Sequence, residues 1–376
     1  MDVHQPNQLL AGLSAQQFMR RHWQKKPLLV RQAIPGFRSE LDRRALFALA
    51  GRDDVESRLV LASEAPTHGA WKLRHGPFGA RSLPPLKRPG WTLLVQGVDM
   101  HIAPVRQLLD RFRFIPEARL DDVMVSYASD GGGVGPHFDS YDVFLFQAHG
   151  RRRWSYGRQK DLRLHDDVPL KLLRNFEPEH EVLLEPGDML YLPPRYAHNG
   201  VAVGECMTWS VGFRAPRVMA LASELLQRLA QDAADVEKDR LYRDPGQAAL
   251  TSPAAIPKAL GEFALAAVRQ ALAQPLALER ALGESLTEPK ASVWFEGRTK
   301  GGPGDCVWLD ARTRMLYDVN HVFINGESYR ARGRDARLMR ELADARMLSH
   351  MSVARARVGA RELLDEWCAA GWIYGL

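Results

Sequence analysis

Residues 131–154 read GGGVGPHFDSYDVFLFQAHGRRRW. In this stretch His137-Phe138-Asp139 stands between a glycine-rich turn at 131–136 and a strongly apolar run, Tyr141-Asp142-Val143-Phe144-Leu145-Phe146. The apolar run predicts a strand, and on a strand the residues at i and i+2 point to the same face. A neutral imidazole and a carboxylate placed that way can approach one metal ion from one side. With 12 histidines and 45 acidic residues in the chain, a His-x-acid triplet arises about once by chance, so context has to choose. His165-Asp166-Asp167 lies in the polar stretch DLRLHDDVPLK and reads as a surface loop. A polar pair beside an apolar strand is unfavourable unless something satisfies it, which selects His137 and Asp139.

The third ligand is expected on a later strand. LEPGDMLYLPPRYAHNG, residues 184–200, reads as strand, turn and strand, and then reaches His198. Gly200 follows closely and permits a tight approach. Taken singly, His198 is more commonly a satisfied loop histidine; the upstream pair selects it as a ligand. Two histidines and one carboxylate leave open positions on the metal, the pattern of non-haem iron(II) oxygenases.

Further out, Ser14 with Gln17 forms a capping box, predicting a helix through Phe18 and Trp23 that Pro27 stops. From there to Phe213 the chain shows short β-runs broken by Gly/Pro turns, such as 122–127 and 187–192, which predicts a sandwich, jelly roll or barrel. The texture changes at Pro216. Val218, Ala222, Leu225 and Leu229, then Leu260, Phe263, Ala264, Ala267 and Ala271, predict two or three helices over 217–286. Their apolar stripes need a partner surface, either the rest of the chain or a second copy. Strands return after Pro289 at 307–309, 315–317 and 321–324, with Asn325-Gly326 as a hairpin turn. Two helical stretches follow, around 335–346 and 354–369.

The chain has 376 residues, 45% hydrophobic and 26% charged, an ordinary soluble globular composition for two to three domains. That excludes collagen-like, extended disordered and small disulfide-scaffold classes. Cys206, Cys306 and Cys368 are far apart with no CxxC pair, which argues for a reducing compartment and against disulfides or a thiolate zinc site. The N-terminal residues MDVHQPN lack a basic start followed by an apolar run, so no signal peptide is expected. No apolar run approaches the ~18 residues of a membrane helix. A cytoplasmic protein without membrane contact is the expectation. The net charge of +6 is compatible with a nucleic-acid or ribosomal neighbourhood. Residues 290–376 carry 14 Lys/Arg against 11 Asp/Glu, so the five arginines between Arg330 and Arg340 read first as a solvated surface.

Residues 131–154, together with 184–200 and SVGFRAP at 210–216, resemble the JmjC-type bacterial ribosomal oxygenases. Among these, the similarity is to the arginine hydroxylases acting on large-subunit ribosomal protein sixteen. It is dense from about Trp23 to Pro216 and continues beyond as layout alone. The resemblance implies an α+β chain. Its parts are a JmjC/cupin jelly-roll core, a double-stranded β-helix, over 1–215, a helical dimerisation segment over 216–288 and a winged-helix-like module over 289–376. It implies iron(II), 2-oxoglutarate and dioxygen as cofactor and cosubstrates, and hydroxylation of an arginine β-carbon of a ribosomal protein. His137, Asp139 and His198 take the family's metal and catalytic positions. Arg152 takes the position that pairs with the distal carboxylate of 2-oxoglutarate, and Ser126 that of a hydroxyl donor to the same carboxylate. A guanidinium offers a planar fork that matches a carboxylate and stays charged. Strand alternation sends Arg152 to one face and Arg151 with Arg153 to the other, and only the resemblance says which is inward. Tyr141 is placed to line the pocket or pack in the core. Asp130 and Tyr127 are near the motif without an assigned role. Rival readings are a histidine hydroxylase of another ribosomal protein, a cupin metalloenzyme without 2-oxoglutarate, and a non-catalytic ribosome- or nucleic-acid-binding cupin protein. The family layout makes a homodimer the expected assembly, with nucleic acid not the main partner.

Overall fold

A computed structural model of the chain describes residues 2–62, 71–79, 81–234, 240–249, 251–297 and 306–375. The predicted helical span 217–286 therefore lies in part, at 235–239 and 250, outside the described residues. The chain separates into two compact units, Met1–Ala215 and Pro216–Leu376.

The first unit is built on ten antiparallel strands. They are β1 (Leu28–Val30), β2 (Ser57–Leu61), β3 (Lys72–His75), β4 (Trp91–Val95), β5 (Leu120–Ala128), β6 (His137–Phe138), β7 (Val143–Gly157), β8 (His180–Leu184), β9 (Met189–Leu192) and β10 (Ala197–Phe213). Two of them, β7 and β10, are far longer than the short runs read from sequence. Each is one strand serving two sheets. The first part of β7, at 143–146, pairs with β9 and with the end of β10, whose other neighbour is β5. The second part, at 152–156, pairs with β8 and with the start of β10, which also holds β6. The result is two layers folded from shared strands, β9–β7–β10–β5, extended by β1 beyond β9 and by β4–β2–β3 beyond β5, and β8–β7–β10–β6, as expected of a jelly roll. The bend falls at Gly150 (φ 62°) on β7 and Gly204 (φ 73°) on β10, where the ladder register shifts. Extra residues at such bulges turn a strand without ending it.

The main core lies on the outer face of the first layer, against α1 (Ala15–Arg21), α2 (Arg43–Ala50) and α3 (Ala103–Asp110). The Ser14–Gln17 capping box is present as predicted, but α1 ends at Arg21, two residues before Trp23. Phe18 of α1 is fully buried among Phe114, Phe144 and Tyr191, with ring centroids 5.0–6.0 Å apart. Burial of each such ring stabilises the fold by about 2–3 kcal/mol. Beyond α1 the chain is tied to the sheet by Asp142. Its carboxylate accepts from the Tyr191 hydroxyl (2.6 Å) and from Gln24 Nε2 (3.1 Å), with Arg119 at 3.6 Å.

Burial pushes the pKa of Asp142 above the usual carboxylate range, against those hydrogen bonds and the Arg119 charge. Such a group holds its proton more tightly folded than unfolded. The stability it contributes is complete in acid and is lost as pH rises from the ordinary Asp range through the raised pKa. Asp142→Asn carries no charge to bury. It is expected to gain on the unaltered protein by up to about 1.4 kcal/mol for each pH unit crossed in that window. Urea unfolding at several pH values between 4 and 7 reads this, and a pH-independent difference would contradict it.

The second unit opens with α4 (Val218–Ala234), α5 (Lys258–Leu272) and α6 (Ala277–Thr287). Their mutual core is small, centred on Leu229, Ala277 and Ala281, and α5 buries no residue at all. The remainder contains β11 (Val307–Leu309), β12 (Met315–Tyr317), β13 (His321–Ile324), β14 (Glu327–Arg330), α7 (Gly333–Ala345), β15 (Met347–Leu348), α8 (His350–Ala354), α9 (Val358–Ala369) and β16 (Ile373–Gly375). The sheets are β15–β11–β16 and β12–β13–β14. Asn325 (φ 48°) and Gly326 (φ 90°) make the tight turn between β13 and β14 that their sequence predicts. Its core gathers around Trp367, Leu342, Leu364 and Ile324. Among the described residues, no helix is long and apolar enough to cross a membrane.

Candidate metal centre and cosubstrate cleft

The two layers of the first unit enclose a cleft lined by His137, Asp139, His198, Arg152 and Ser126. His137 opens β6 and lies opposite His198 on β10. Close backbone contact lets the strands meet there: a Cβ on Gly133 would stand 2.6 Å from the Gly200 carbonyl oxygen, so the glycine turn is a packing necessity. Each imidazole is oriented through Nδ1, which sits 2.9 Å from the Gly135 carbonyl oxygen in His137 and 3.0 Å from that of Tyr196 in His198. A carbonyl only accepts, so each Nδ1 carries a proton, which leaves Nε2 as the ring atom available to a metal.

Asp139 reaches the same place by a route the sequence did not suggest. Strand β6 ends at Phe138, so same-face alternation places His137 but not Asp139. The carboxylate is brought in by the turn that follows, fixed where the Asp139 carbonyl accepts from Arg195 N–H (2.8 Å). The rings of His137 and His198 lie 4.3 Å apart, and His198 Nε2 is 3.7 Å from Asp139 Oδ2. That distance is too long for a hydrogen bond. One ligand atom from each of the three side chains lies within 4.8 Å of the others, the one such cluster of three or more among the described residues. Burial, reinforced by the neighbouring His137, pushes the pKa of His198 down against the opposing pull of Asp139. A neutral imidazole with its lone pair turned inward is the form that binds a metal. Two imidazoles and a carboxylate fit a divalent iron better than calcium or magnesium, which favour all-oxygen shells.

Farther along the cleft, alternation on β7 places Arg152 inside and leaves Arg151 and Arg153 exposed. Arg153 meets Glu181 on the outside (3.0 Å). Arg152 is only 4% exposed, and its Nη1 donates to Ser126 Oγ (2.9 Å) and Thr208 Oγ1 (3.3 Å) on the opposite layer. Its guanidinium carbon lies 5.5 Å from the Trp154 ring centroid, and its Nε has no hydrogen-bond partner. The nearby Cys206 thiol does not act as counterion, because burial raises its pKa. A buried guanidinium held by two hydroxyls, with a donor unspent, is arranged for a carboxylate from outside the chain.

The remaining expectations divide. Tyr141 lines the cleft, with the irregular segment after β6 rather than a regular strand carrying it. Asp130 does not reach the cleft; it caps Gly204 N–H (2.7 Å). Tyr127 is core, packed edge-on against Phe47 at 5.0 Å. His165-Asp166-Asp167 lies in an irregular segment, with both aspartates exposed, outside the ligand cluster. Sequence reading missed Asp122, which is buried in the cleft wall and accepts from Gln96 Nε2 at 3.0 and 3.1 Å. It also missed Thr208 and the residue behind it, Gln147. The period-two pattern of β5 offered one signal, since Asp122 shares the phase of Met124 and Ser126.

The JmjC domain family matches residues 107–221. The ribosomal protein uL16 3-hydroxylase of Escherichia coli is 42% identical over 207 residues, 55% of this chain and 54% of that protein. A probable ribosomal oxygenase of Haemophilus influenzae is 38% identical over 208 residues, 54% of this chain and 50% of its own. The chain thus spans about half the length of these curated relatives in sequence. In fold the similarity runs further. The structure of YcfD, a ribosomal oxygenase from Escherichia coli, in complex with cobalt and 2-oxoglutarate superposes with a TM-score of 0.80 at 28% identity, covering 96% of this chain and 98% of that one. With the JmjC match around the cleft and the shared architecture at both ends, this chain is similar, over nearly its whole length, to the bacterial ribosomal oxygenases.

Proposed function

We propose that the chain is an iron(II)- and 2-oxoglutarate-dependent oxygenase that hydroxylates the β-carbon of an arginine in a large-subunit ribosomal protein. The observation that carries this reading is Arg152. A histidine–aspartate–histidine triad alone would suit many cupin metalloenzymes, whereas a buried guanidinium with an unspent donor in the same cleft calls for a dicarboxylate. His137, Asp139 and His198 would hold the iron, and Arg152 with Ser126 would hold the distal carboxylate. Iron with 2-oxoglutarate and dioxygen supplies an oxidant able to replace C–H by C–OH, leaving succinate and carbon dioxide. The chain's own part is to orient these groups, keep the buried His198 imidazole neutral and shield the cleft between its layers.

An arginine substrate is favoured over histidine by the cleft wall. A guanidinium wants a carboxylate and an aromatic face, and Asp122 and Tyr141 are there. The Escherichia coli relative, named as a uL16 3-hydroxylase, supports a ribosomal protein as the substrate. The purified chain with iron(II), 2-oxoglutarate and oxygen is expected to add one oxygen atom to an arginine of uL16 with matching succinate release. Oxidation of a histidine in another ribosomal protein instead would favour the rival hydroxylase. No 2-oxoglutarate turnover with any ribosomal protein would favour the non-catalytic reading.

We assign the helices of 216–288 to homodimerisation, because α4 and α5 expose Met219, Leu226, Leu265 and Val268, each more than half exposed. Light scattering at micromolar concentration is expected to give the mass of two chains; the mass of one chain would contradict this. Residues 289–376 read as a winged-helix-like module. The outer face of α9 carries Glu362, Asp365 and Glu366 against Arg361, which favours a protein contact over nucleic acid. The three unpaired cysteines support a reducing, cytoplasmic setting.

A further inference from the structure

Behind the Arg152 end of the cleft, Thr208, one of the two hydroxyls that hold the guanidinium, is itself paired with a residue given no role so far. Gln147 on β7 and Thr208 on β10 are cross-strand partners, and both are completely buried. Gln147 Nε2 donates to the carbonyl oxygens of His149 (2.9 Å) and Gly150 (3.2 Å). Backbone carbonyls only accept, so the amide has one possible orientation, with its NH₂ end toward the bend and Oε1 toward Thr208. Oε1 stands 3.0 Å from Thr208 Oγ1 and has no proton to give. Thr208 must therefore donate to it.

A threonine hydroxyl has one proton, and Gln147 takes it. Toward everything else Thr208 is an acceptor only, and the donor in reach is Arg152 Nη1 at 3.3 Å. Ser126 differs. It also accepts from Arg152, but its own proton is engaged only in a long 3.4 Å contact with the Thr208 carbonyl. That proton is free to turn to an anion in the cleft. Two hydroxyls flank one guanidinium, and the amide behind them assigns their roles: Thr208 anchors the arginine, and Ser126 joins it in donating. The anchor is rigid, because Gln147 is tied to the backbone of the β7 bend, two residues before Arg152.

We infer that Gln147 is a positioning residue for 2-oxoglutarate: acting through Thr208, it fixes the hydrogen-bond polarity of the pocket and the pose of Arg152. The inference rests on the proposed use of 2-oxoglutarate. If Gln147 only satisfied the carbonyls of the bend, its loss would lower stability and leave cosubstrate affinity untouched.

Titration calorimetry of 2-oxoglutarate into the full chain loaded with manganese(II), without oxygen, separates these. Gln147→Met and Thr208→Val are each expected to weaken 2-oxoglutarate binding about tenfold, the scale of one buried hydrogen bond to a charged group. The double variant should be no weaker than either single variant, since the two residues act as one unit. Thr208→Ser, which keeps the hydroxyl, should bind within twofold of the unaltered chain, roughly the scatter of such coupling measurements. Manganese affinity should hold in all of them. Where Gln147→Met does not fold, the nearly isosteric Thr208→Val carries the test. Unchanged 2-oxoglutarate affinity in the folded variants, or single effects that multiply in the double variant, would overturn the inference. Failure of the unaltered chain to bind 2-oxoglutarate would overturn the cosubstrate reading itself, and the inference with it.

Discussion

Asp139→Ala is expected to abolish metal binding at the cleft and, with it, oxidation of any ribosomal protein. The carboxylate is the one anionic member of the triad, and it sits beyond the end of β6, where its removal breaks no ladder hydrogen bond. What remains is two neutral imidazoles on one side of the ion. Disturbing a group that merely supports a ligand already weakens metal binding by about 10–100-fold, so losing a ligand outright should exceed about 100-fold. Turnover should fall to background, a loss of at least about 10³-fold. Because Asp139 is partly exposed and its side-chain partners are His198 at 3.7 Å and the Tyr141 hydroxyl, the fold should lose no more than about 1.5 kcal/mol, the net scale of one hydrogen bond. Metal titration and urea unfolding of the same variant read both halves. A variant that binds iron(II) as well as the unaltered protein would remove Asp139 from the metal centre.

The second large effect is at Arg152. Arg152→Met is expected to weaken 2-oxoglutarate binding about 100-fold or more while leaving metal affinity unchanged. A forked, charge-assisted contact to a carboxylate contributes about 1.5–3 kcal/mol per hydrogen bond, and two such bonds correspond to roughly 10²–10⁴ in affinity. Stability should move the other way or not at all. Without cosubstrate the guanidinium is buried, held by hydroxyls only, and its Nε is unpartnered. An apolar side chain of similar length removes that burden. Arg152→Lys should bind little better than the methionine variant, since a point charge does not reproduce the fork. A cupin enzyme that works without 2-oxoglutarate would instead keep its activity in Arg152→Met.

Much of the cleft was legible in the sequence because it follows from short-range rules. Alternation on β7 was enough to separate Arg152 from its neighbours once a face was chosen, and the burial of the strand then fixed that face. The Ser14 cap and the Asn325-Gly326 turn are signals complete within four residues. Several other features depend on contacts between distant segments. Bulges at Gly150 and Gly204 let β7 and β10 each serve two layers, and no local pattern distinguishes such a bend from a strand end. The same shared strands bring Gln147 beside Thr208, and the β4–β5 pairing brings Gln96 to Asp122. Asp142 sits in an apolar run as an ordinary exception, and only its partners, Tyr191 and Gln24, explain why it is buried. Asp139 lies where the strand rule stops, so its place in the triad followed from the right residue types and an incomplete geometric reason.

Intact-mass spectrometry of ribosomal proteins, from cells producing this chain and from matched cells lacking it, tests the central claim most directly. The expected result is the mass of one additional oxygen atom on one large-subunit ribosomal protein, mapped by fragmentation to an arginine, present only with the chain and lost with Asp139→Ala. Identical ribosomal protein masses in both cells would contradict the account.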